Sequence, residues 1–256
     1  MSKFTSRILL VVLALCLGGC SWFQKKIEEP IKDAATMYQE AHEQMASGTY
    51  DTAIKSYEKL QARYPYGVYA QQAQLDVAYS YYMTRDQASA ITACERFIKT
   101  YPNHPKVDYA YYLKGQALLG EGGSDAFSSL ITPLQPLEQR DPKGLEEAYD
   151  VFRQIITKFP NSIYEPDSRR QMKALTDALA AHELLAARYY LNRRSPLAAV
   201  NRAQHVIKTF PESASVEEAL SIMIAGYDTL GIPDLRDDTR RVLSQSYPNS
   251  IYLAKR

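Results

Sequence analysis

The sequence has few cysteines, a single tryptophan and almost no net charge. Its 256 residues include three cysteines, and 30 basic residues nearly balance 29 acidic ones, giving a formal net charge of +1. Three thiols cannot build the dense disulfide framework of a small secreted scaffold. The balanced charge provides no basic field of the kind that nucleic-acid-binding domains present, so we expect no nucleic-acid partner.

Recognisable catalytic and cofactor motifs are also absent from the sequence. It contains no GxSxG, no HExxH, no glycine-rich phosphate loop and no Cys/His set with metal-ligand spacing. The four histidines, at positions 42, 104, 182 and 205, are scattered along the chain. We therefore expect a protein that is not an enzyme and that uses neither a metal ion nor a cofactor.

The apolar run at the start of the chain is too short to cross a membrane. Ile8–Leu17 has ten residues, which as a helix span about 15 Å, or half of a bilayer core. It follows Lys3 and Arg7 and precedes two glycines, which is the order found in secretory signals.

The signal ends in Leu17-Gly18-Gly19-Cys20, which matches the bacterial lipobox. We expect residues 1–19 to be a lipoprotein signal peptide and Cys20 to carry S-diacylglycerol and N-acyl lipid, which anchors a protein almost permanently. Ser21, where Asp would favour the inner membrane, indicates the outer membrane. Residues 20–31 would form a tether with a reach of at most roughly 40 Å. The alternative is an ordinary signal peptide with a chance cysteine.

Five helical segments end on an aromatic–proline pair, with prolines at positions 65, 102, 160, 211 and 248. In four of them alanine stands twelve residues before the proline: Ala53, Ala90, Ala148 and Ala199. Small or apolar residues follow four and seven positions later, which makes one face of an amphipathic helix. Proline then ends the helix, because it has no N–H to continue the hydrogen-bond ladder.

A second small residue precedes each of these alanines. Ala41, Ala78 and Ala187 lie twelve residues upstream, and Gly115 lies 33 upstream of its alanine. This spacing resembles the tetratricopeptide repeat, a helix-turn-helix unit of about 34 residues. We predict an all-α solenoid of about five such repeats. The similar phrases FPNSIY and YPNSIY, after Lys158 and Ser246, would then be turns that end a repeat.

Two departures from a plain repeat divide the chain. Glycines and prolines mark residues 120–143 as a loop insert with a short helix, and the long helical pattern over 167–192 predicts a connecting helix. We assign residues 32–165 to repeats 1–3 with the insert, and residues 166–256 to the connecting helix and repeats 4–5.

Tyrosine is abundant, at 20 residues against 7 phenylalanines. The first helices of repeats line the concave wall of a solenoid, which commonly binds an extended segment of another protein. The predicted wall comprises Tyr38, His42, Gln72, Leu75, Tyr79, Tyr82, Tyr109, Tyr112 and Gln116. Its tyrosines either bind aromatic-rich peptide segments or fill the gaps between repeats.

Arginines cluster in the C-terminal half, at positions 188, 193, 194 and 202. Such a run of charge is either a solvated face or an acceptor for an acidic protein edge, since arginine makes planar, bidentate contacts. The lone Cys94 has an apolar helical context, so we expect it to be a small core residue.

Several phrases resemble the BamD lipoprotein family, also called the ComL type. They are YPYGVYAQQAQLDVAYSYY (64–82), HPKVDYAYYLKG (104–115), RDPKGLEEAYDVF (140–152) and FPNSIY (159–164). The resemblance implies an outer-membrane lipoprotein facing the periplasm, with five repeats, that takes part in folding and inserting β-barrel proteins.

The resemblance also implies partners. In the family, N-terminal repeats receive targeting segments of unfolded barrel proteins, and C-terminal repeats dock the POTRA domains of the barrel subunit BamA through an arginine. The matching motif assigns that role to Asn201 and Arg202, with Arg193 and Arg194 beside them, and other assembly lipoproteins are further expected partners. The alternative function is a peptidoglycan-associated or competence-related lipoprotein that organises cell-wall enzymes.

Overall fold

The protein is described by a computed structural model, which covers residues 32–120 and 136–253. Within these ranges it consists of ten α-helices and a short 3-10 helix, without β-strands, which confirms the all-α prediction. The helices are α1 (Ala34–Ala46), α2 (Tyr50–Arg63), α3 (Val68–Met83), α4 (Gln87–Thr100), α5 (Val107–Leu119), α6 (Pro142–Lys158), α7 (Glu165–Asn192), α8 (Pro196–Thr209), α9 (Val216–Leu230) and α10 (Pro233–Ser246). The predicted signal peptide, Cys20 and the tether lie outside the described residues.

The helices form five pairs, α1/α2 to α9/α10, that stack in chain order. Each helix packs against the next, and first helices also contact each other: α1 with α3, α3 with α5, and α7 with α9. The alanines of the repeat pattern, such as Ala53 and Ala90, are fully buried at the helix contacts. The described helices therefore stack as helix-turn-helix repeats, as the sequence predicts.

Small residues allow helices to approach closely at two contacts, one within a pair and one between neighbouring pairs. A Cβ atom added to Gly115 would lie 2.6 Å from Cζ of Phe152, across the contact between α5 and α6. A Cβ atom added to Gly226 would lie 2.5 Å from Cγ2 of Val200, across the contact between α8 and α9. Both distances are below any normal carbon–carbon contact, so neither position has room for a side chain.

The aromatic residue before each proline ends the second helix of its repeat. Tyr64, Tyr101, Phe159, Phe210 and Tyr247 all have φ between −127° and −134° with ψ between 54° and 76°. A following proline disfavours the α region for the residue before it, which explains this shared conformation.

FPNSIY and YPNSIY form equivalent turns. In each, the serine N–H donates to the carbonyl of the first aromatic residue, Ser162 to Phe159 and Ser250 to Tyr247, at 2.9 Å. The serine hydroxyl then accepts from the N–H of the final tyrosine, at 3.1 Å in Tyr164 and 3.2 Å in Tyr252. This local hydrogen bonding explains why the two phrases are alike.

The predicted connecting helix is α7, and the described end of the insert packs against it. Helix α7 has 28 residues and is therefore about 42 Å long. The described end of the insert forms the 3-10 helix Leu137–Gln139, which packs on α7. There the carbonyl of Glu138 lies 2.9 Å from Nδ1 of His182. Residues 121–135 of the insert lie outside the described ranges.

The last helix differs from the other second helices because no described repeat follows it. Arg236 replaces the buried alanine of the other repeats and pairs with Asp228 at 3.0 Å and Asp237 at 2.8 Å. Arg240 is exposed to solvent. These arginines are accommodated because the outer face of α10 has no helix of a further described repeat packed against it.

Candidate functional site

The predicted inner wall contains a hydrogen-bond network that joins the first three repeats. The Tyr38 hydroxyl of α1 donates to Oδ2 of Asp76 on α3 at 2.8 Å. Nε2 of Gln72 donates to Oδ1 of the same carboxylate at 2.9 Å, and Nζ of Lys106 donates to Oε1 of Gln72 at 3.1 Å. Asp76 is buried, so its two donors replace the water it has lost.

Aromatic rings pack around this carboxylate. The ring of Tyr38 stacks on His42 with centroids 5.7 Å apart, and it also contacts the rings of Tyr57 and Tyr69. The Tyr57 hydroxyl lies 3.4 Å from Nδ1 of His42. Burial, together with the negative charge of Asp76, raises the pKa of both Tyr38 and Tyr57. Both hydroxyls therefore remain protonated donors at physiological pH.

A second network joins repeat 3 to repeat 4. The Tyr112 hydroxyl of α5 donates to Oδ2 of Asp167 on α7 at 2.8 Å, and it accepts from Nε2 of Gln116 at 2.7 Å. The ring of Tyr112 stacks on Tyr164 at 4.6 Å, and Tyr109 contacts the same ring at 5.6 Å. Burial and the bond to Asp167 raise the pKa of Tyr112 to about 12.

The other predicted wall residues differ in exposure. Tyr79 is half-buried with its ring edge against Tyr50, and Tyr82 is half-buried as well. Gln116 is buried, and its Oε1 atom has no hydrogen-bond partner among the described residues. The prediction that Leu75 lies on the wall needs correction. Leu75 is buried against Phe97 and Ala110 because α3 is enclosed by its neighbours on several sides.

These contacts bear on the two roles that the sequence left open for the tyrosines. The hydroxyls of Tyr38 and Tyr112 form hydrogen bonds between repeats, so these two tyrosines have the second role, that of filling the gaps between repeats. A bound peptide would meet the partly exposed rings, since those two hydroxyls are already occupied. Sequence reasoning did not single out Asp76, which organises the first network from its position in the phrase QAQLDVAY.

The predicted arginine cluster lies where repeat 4 meets repeat 5. Arg188 of α7 donates to both carboxylate oxygens of Glu218 on α9, at 2.6 and 3.2 Å. Arg202 of α8 donates to Oε2 of Glu183 on α7 at 3.0 Å. The hydrogen bond and charge of Glu183 raise the pKa of Arg202. Both arginines are therefore paired within the chain and keep exposed guanidinium surface.

The remaining predicted partner residues lie on α8 and in the turn that precedes it. Asn201 is exposed on α8, next to Arg202. The guanidinium of Arg193 lies 6.0 Å from the centroid of the Tyr189 ring, which is itself exposed. Arg194 is exposed in the turn between α7 and α8 and has a left-handed φ of 56°. The predicted partner residues thus belong to one region of repeat 4.

The described residues offer no sign of a metal centre or a reactive thiol. Within residues 32–120 and 136–253, no group of three or more His, Cys, Asp or Glu side chains is placed to hold a metal ion. Cys94 is fully buried, and burial raises the pKa of its thiol to about 12. It is therefore a core residue with little thiolate character. Among the described helices, none combines the length and apolar character needed to cross a membrane.

The fold and surfaces define an all-helical repeat protein with two candidate binding regions. The family model described as YfiO, outer membrane lipoprotein, matches residues 30–243. The outer membrane protein assembly factor BamD of Neisseria meningitidis serogroup A is 39% identical over 251 residues, 96% of this chain and 92% of the relative. The BamD of Vibrio cholerae is 34% identical over 237 residues, 91% of this chain and 95% of the relative. The chain belongs to this family of outer membrane lipoproteins.

The similarity to a solved structure is weaker. A thermophilic TPR protein of Thermus thermophilus is 13% identical and aligns with 86% of this chain and 95% of its own, with a TM-score of 0.37. This similarity is too low to support any statement on function.

Proposed function

We propose that the chain is a lipid-anchored scaffold and receptor subunit of the outer-membrane β-barrel assembly complex. Acyl chains on Cys20 would hold it at the periplasmic face of the outer membrane. The observation that carries the proposal is 39% identity to a BamD assembly factor over nearly the full length of both chains. The names of the relatives favour this role over the cell-wall alternative.

In this proposal the protein acts by binding, and its C-terminal repeats dock the POTRA domains of the barrel subunit. Arg202 would exchange its internal partner, Glu183, for a carboxylate of the barrel subunit. The exchange is feasible because the Arg202 side chain is 47% exposed, so its guanidinium is within reach of a partner. Asn201, Arg193 and Arg194 would contribute hydrogen bonds and charge at the edge of the same contact.

Copurification from detergent-solubilised outer membranes tests this docking. We expect Arg202→Glu to reduce recovery of the barrel subunit about tenfold or more, because the new carboxylate at position 202 would face the carboxylate of the barrel subunit. Arg153→Glu is the matched control, since Arg153 is exposed and paired with Asp150 on α6 of repeat 3. Unchanged recovery with Arg202→Glu, while circular dichroism shows an intact helical fold, would contradict the docking proposal.

The inner wall of repeats 1–3 would receive segments of unfolded barrel proteins. The rings of Tyr79, Tyr109 and Tyr112 offer partly exposed aromatic surface, which suits the aromatic residues of barrel strands. His42 and Tyr82 extend this surface along α1 and α3.

A titration with C-terminal strand peptides that end in an aromatic residue tests the wall. Tyr79→Ala removes a half-buried ring that lies edge-on to Tyr50, so we expect weaker peptide binding with an intact helical fold. Tyr112→Phe is a useful comparison because it keeps the ring and removes the bond to Asp167. Equal peptide affinity of Tyr79→Ala and the unmodified protein would count against a peptide groove.

A further inference from the structure

The chain enters the described fold beside an exposed apolar turn. The backbone carbonyl of Lys32, the first described residue, accepts a hydrogen bond of 2.9 Å from the Tyr64 hydroxyl. Tyr64 ends α2 and begins the turn that leads to α3. The segment that follows Cys20 therefore joins the fold at this turn.

Residues 66–69, which we call the entry turn, carry an unusual amount of exposed apolar surface. Tyr66 is 90% exposed, Val68 is 75% exposed and Tyr69 is 41% exposed. The turn after repeat 3 has one comparable residue, Ile163, which is 82% exposed and lies three residues after its proline, as Val68 does. Gly67 has a φ of 101°, so this turn conformation depends on glycine.

The entry turn itself carries no acidic side chain that a phospholipid surface would repel. Between Arg63 and Leu75 there is no acidic residue, and Arg63 itself is exposed. By contrast, Glu212 and Glu165 carry negative charge in or next to the turns after Pro211 and Pro160. Tyrosine rings favour the boundary between lipid headgroups and acyl chains, where one end is apolar and the other wet.

We propose that the entry turn lies against the phospholipid surface and serves as a second membrane contact. This inference rests on the proposed acylation of Cys20. Lys32 follows Cys20 by twelve positions, so the fold starts within roughly 40 Å of the lipid. That tether gives the turn a high effective concentration at the membrane, so even a weak contact is occupied. One acyl-anchored terminus would leave the solenoid free to rotate, and the second contact would restrict its orientation.

Quenching by brominated lipids tests this contact in the purified, lipidated protein. The single tryptophan, Trp22, is replaced by phenylalanine, and one new tryptophan is then introduced by Tyr66→Trp or, as the matched control, by Ile163→Trp. Both positions are exposed, so neither change disturbs the core. Each variant is reconstituted into phosphatidylethanolamine–phosphatidylglycerol vesicles that carry brominated acyl chains.

We expect the tryptophan at position 66 to be quenched about threefold or more strongly than the one at position 163, because only the entry turn would reach the acyl boundary. Equal quenching at the two positions in vesicle-bound protein would overturn the inference. A blue-shifted emission at position 66 without quenching would also overturn it, since it would mean that protein covers the turn. Protein that carries no lipid on Cys20 by mass spectrometry and stays off the vesicles would instead refute the proposed anchor, and the inference with it.

Discussion

The junctions between repeats are sealed by different chemistry in two regions of the molecule. At the tyrosine junctions, between repeats 1 and 2 and between repeats 3 and 4, a tyrosine hydroxyl donates to a carboxylate, Tyr38 to Asp76 and Tyr112 to Asp167. At the arginine junction, between repeats 4 and 5, Arg188 pairs with Glu218. The first kind is packed among aromatic rings, whereas the second is an ion pair between an exposed Arg188 and a partly buried Glu218.

This difference has consequences for stability. In a solenoid, stability is approximately a sum over repeats and their nearest-neighbour contacts, so each junction contributes separately. A hydrogen bond to a buried carboxylate is costly to break, because the carboxylate then loses a donor without regaining water. An exposed ion pair contributes little and is screened by salt. The Tyr38–Asp76 bond, whose carboxylate is buried, should therefore be robust to salt, and the arginine junction should be sensitive to it. The Tyr112–Asp167 bond should fall between the two, because the Asp167 side chain is 24% exposed and also pairs with Arg170.

The largest expected effect lies at the two close helix contacts. One is in repeat 3, beside a tyrosine junction, and the other is at the arginine junction between repeats 4 and 5. We expect Gly115→Ala and Gly226→Ala each to reduce the free energy of unfolding by about 1–3 kcal/mol, because the new methyl group overlaps a buried side chain. Gly144→Ala in α6 is the control: a Cβ there meets nothing within 4 Å, so it should stabilise by about 0.5–1 kcal/mol. Urea denaturation measures all three, and equal effects would refute the close approach.

The tyrosine junctions give the next effect. Tyr38→Phe should cost about 1–2 kcal/mol of unfolding free energy, because Asp76 is buried and loses one of its donors. Tyr66→Phe, at a residue that is 90% exposed, should change stability by less than about 0.5 kcal/mol. Thermal unfolding at low and high salt is the measurement. A cost at Tyr38 that disappears at high salt would remove the distinction between the two kinds of junction.

A smaller effect is expected at the arginine junction. Arg188→Gln should cost about 0.2–1 kcal/mol at low ionic strength, and most of this cost should vanish near 1 M salt. Native-state hydrogen exchange of α9 and α10 reports it locally, because a weaker junction lets repeat 5 open more often. A cost that persists at high salt would mean that the Arg188 stem contributes by packing and not by charge.

The smallest expected effect concerns the internal partner of Arg202. Glu183→Gln removes the carboxylate that competes with an incoming acidic partner, so binding of the barrel subunit's POTRA domains should tighten about twofold to fivefold. Isothermal titration at physiological salt measures it. Arg202→Glu weakening the binding while Glu183→Gln leaves it unchanged would show that Glu183 does not compete with the partner, without affecting the docking proposal itself.

The sequence predicted the helix pairs well because their signals are local. A proline that follows several turns of helix ends it, and Ala53 and Ala90 mark the buried face by their fixed distance from Pro65 and Pro102. The extent of α7 likewise followed from its uninterrupted helical pattern.

The contacts within the candidate surfaces depended on distant parts of the chain. Asp76 acts through Tyr38, 38 residues away, and Arg202 acts through Glu183, 19 residues away. Leu75 and Asp76 are adjacent, yet a helix turns by about 100° per residue, so their side chains point in different directions. An error of one residue in the predicted helix register therefore assigned the core residue Leu75 to the wall, where Asp76 forms the hydrogen-bond network. To assign a residue to the core or to the wall, one must know how α3 packs among its neighbours, and no local sequence pattern specifies that packing.

Hydrogen exchange of the full chain, with each proposed ligand in turn, tests most directly whether the two regions serve different partners. We expect the barrel subunit's POTRA domains to protect α7 and α8 around Arg193 and Arg202. Peptides from barrel strands should instead protect α3 and α5 around Tyr79 and Tyr112. Protection of the same repeats by both ligands, or of neither region by either ligand, would contradict the account.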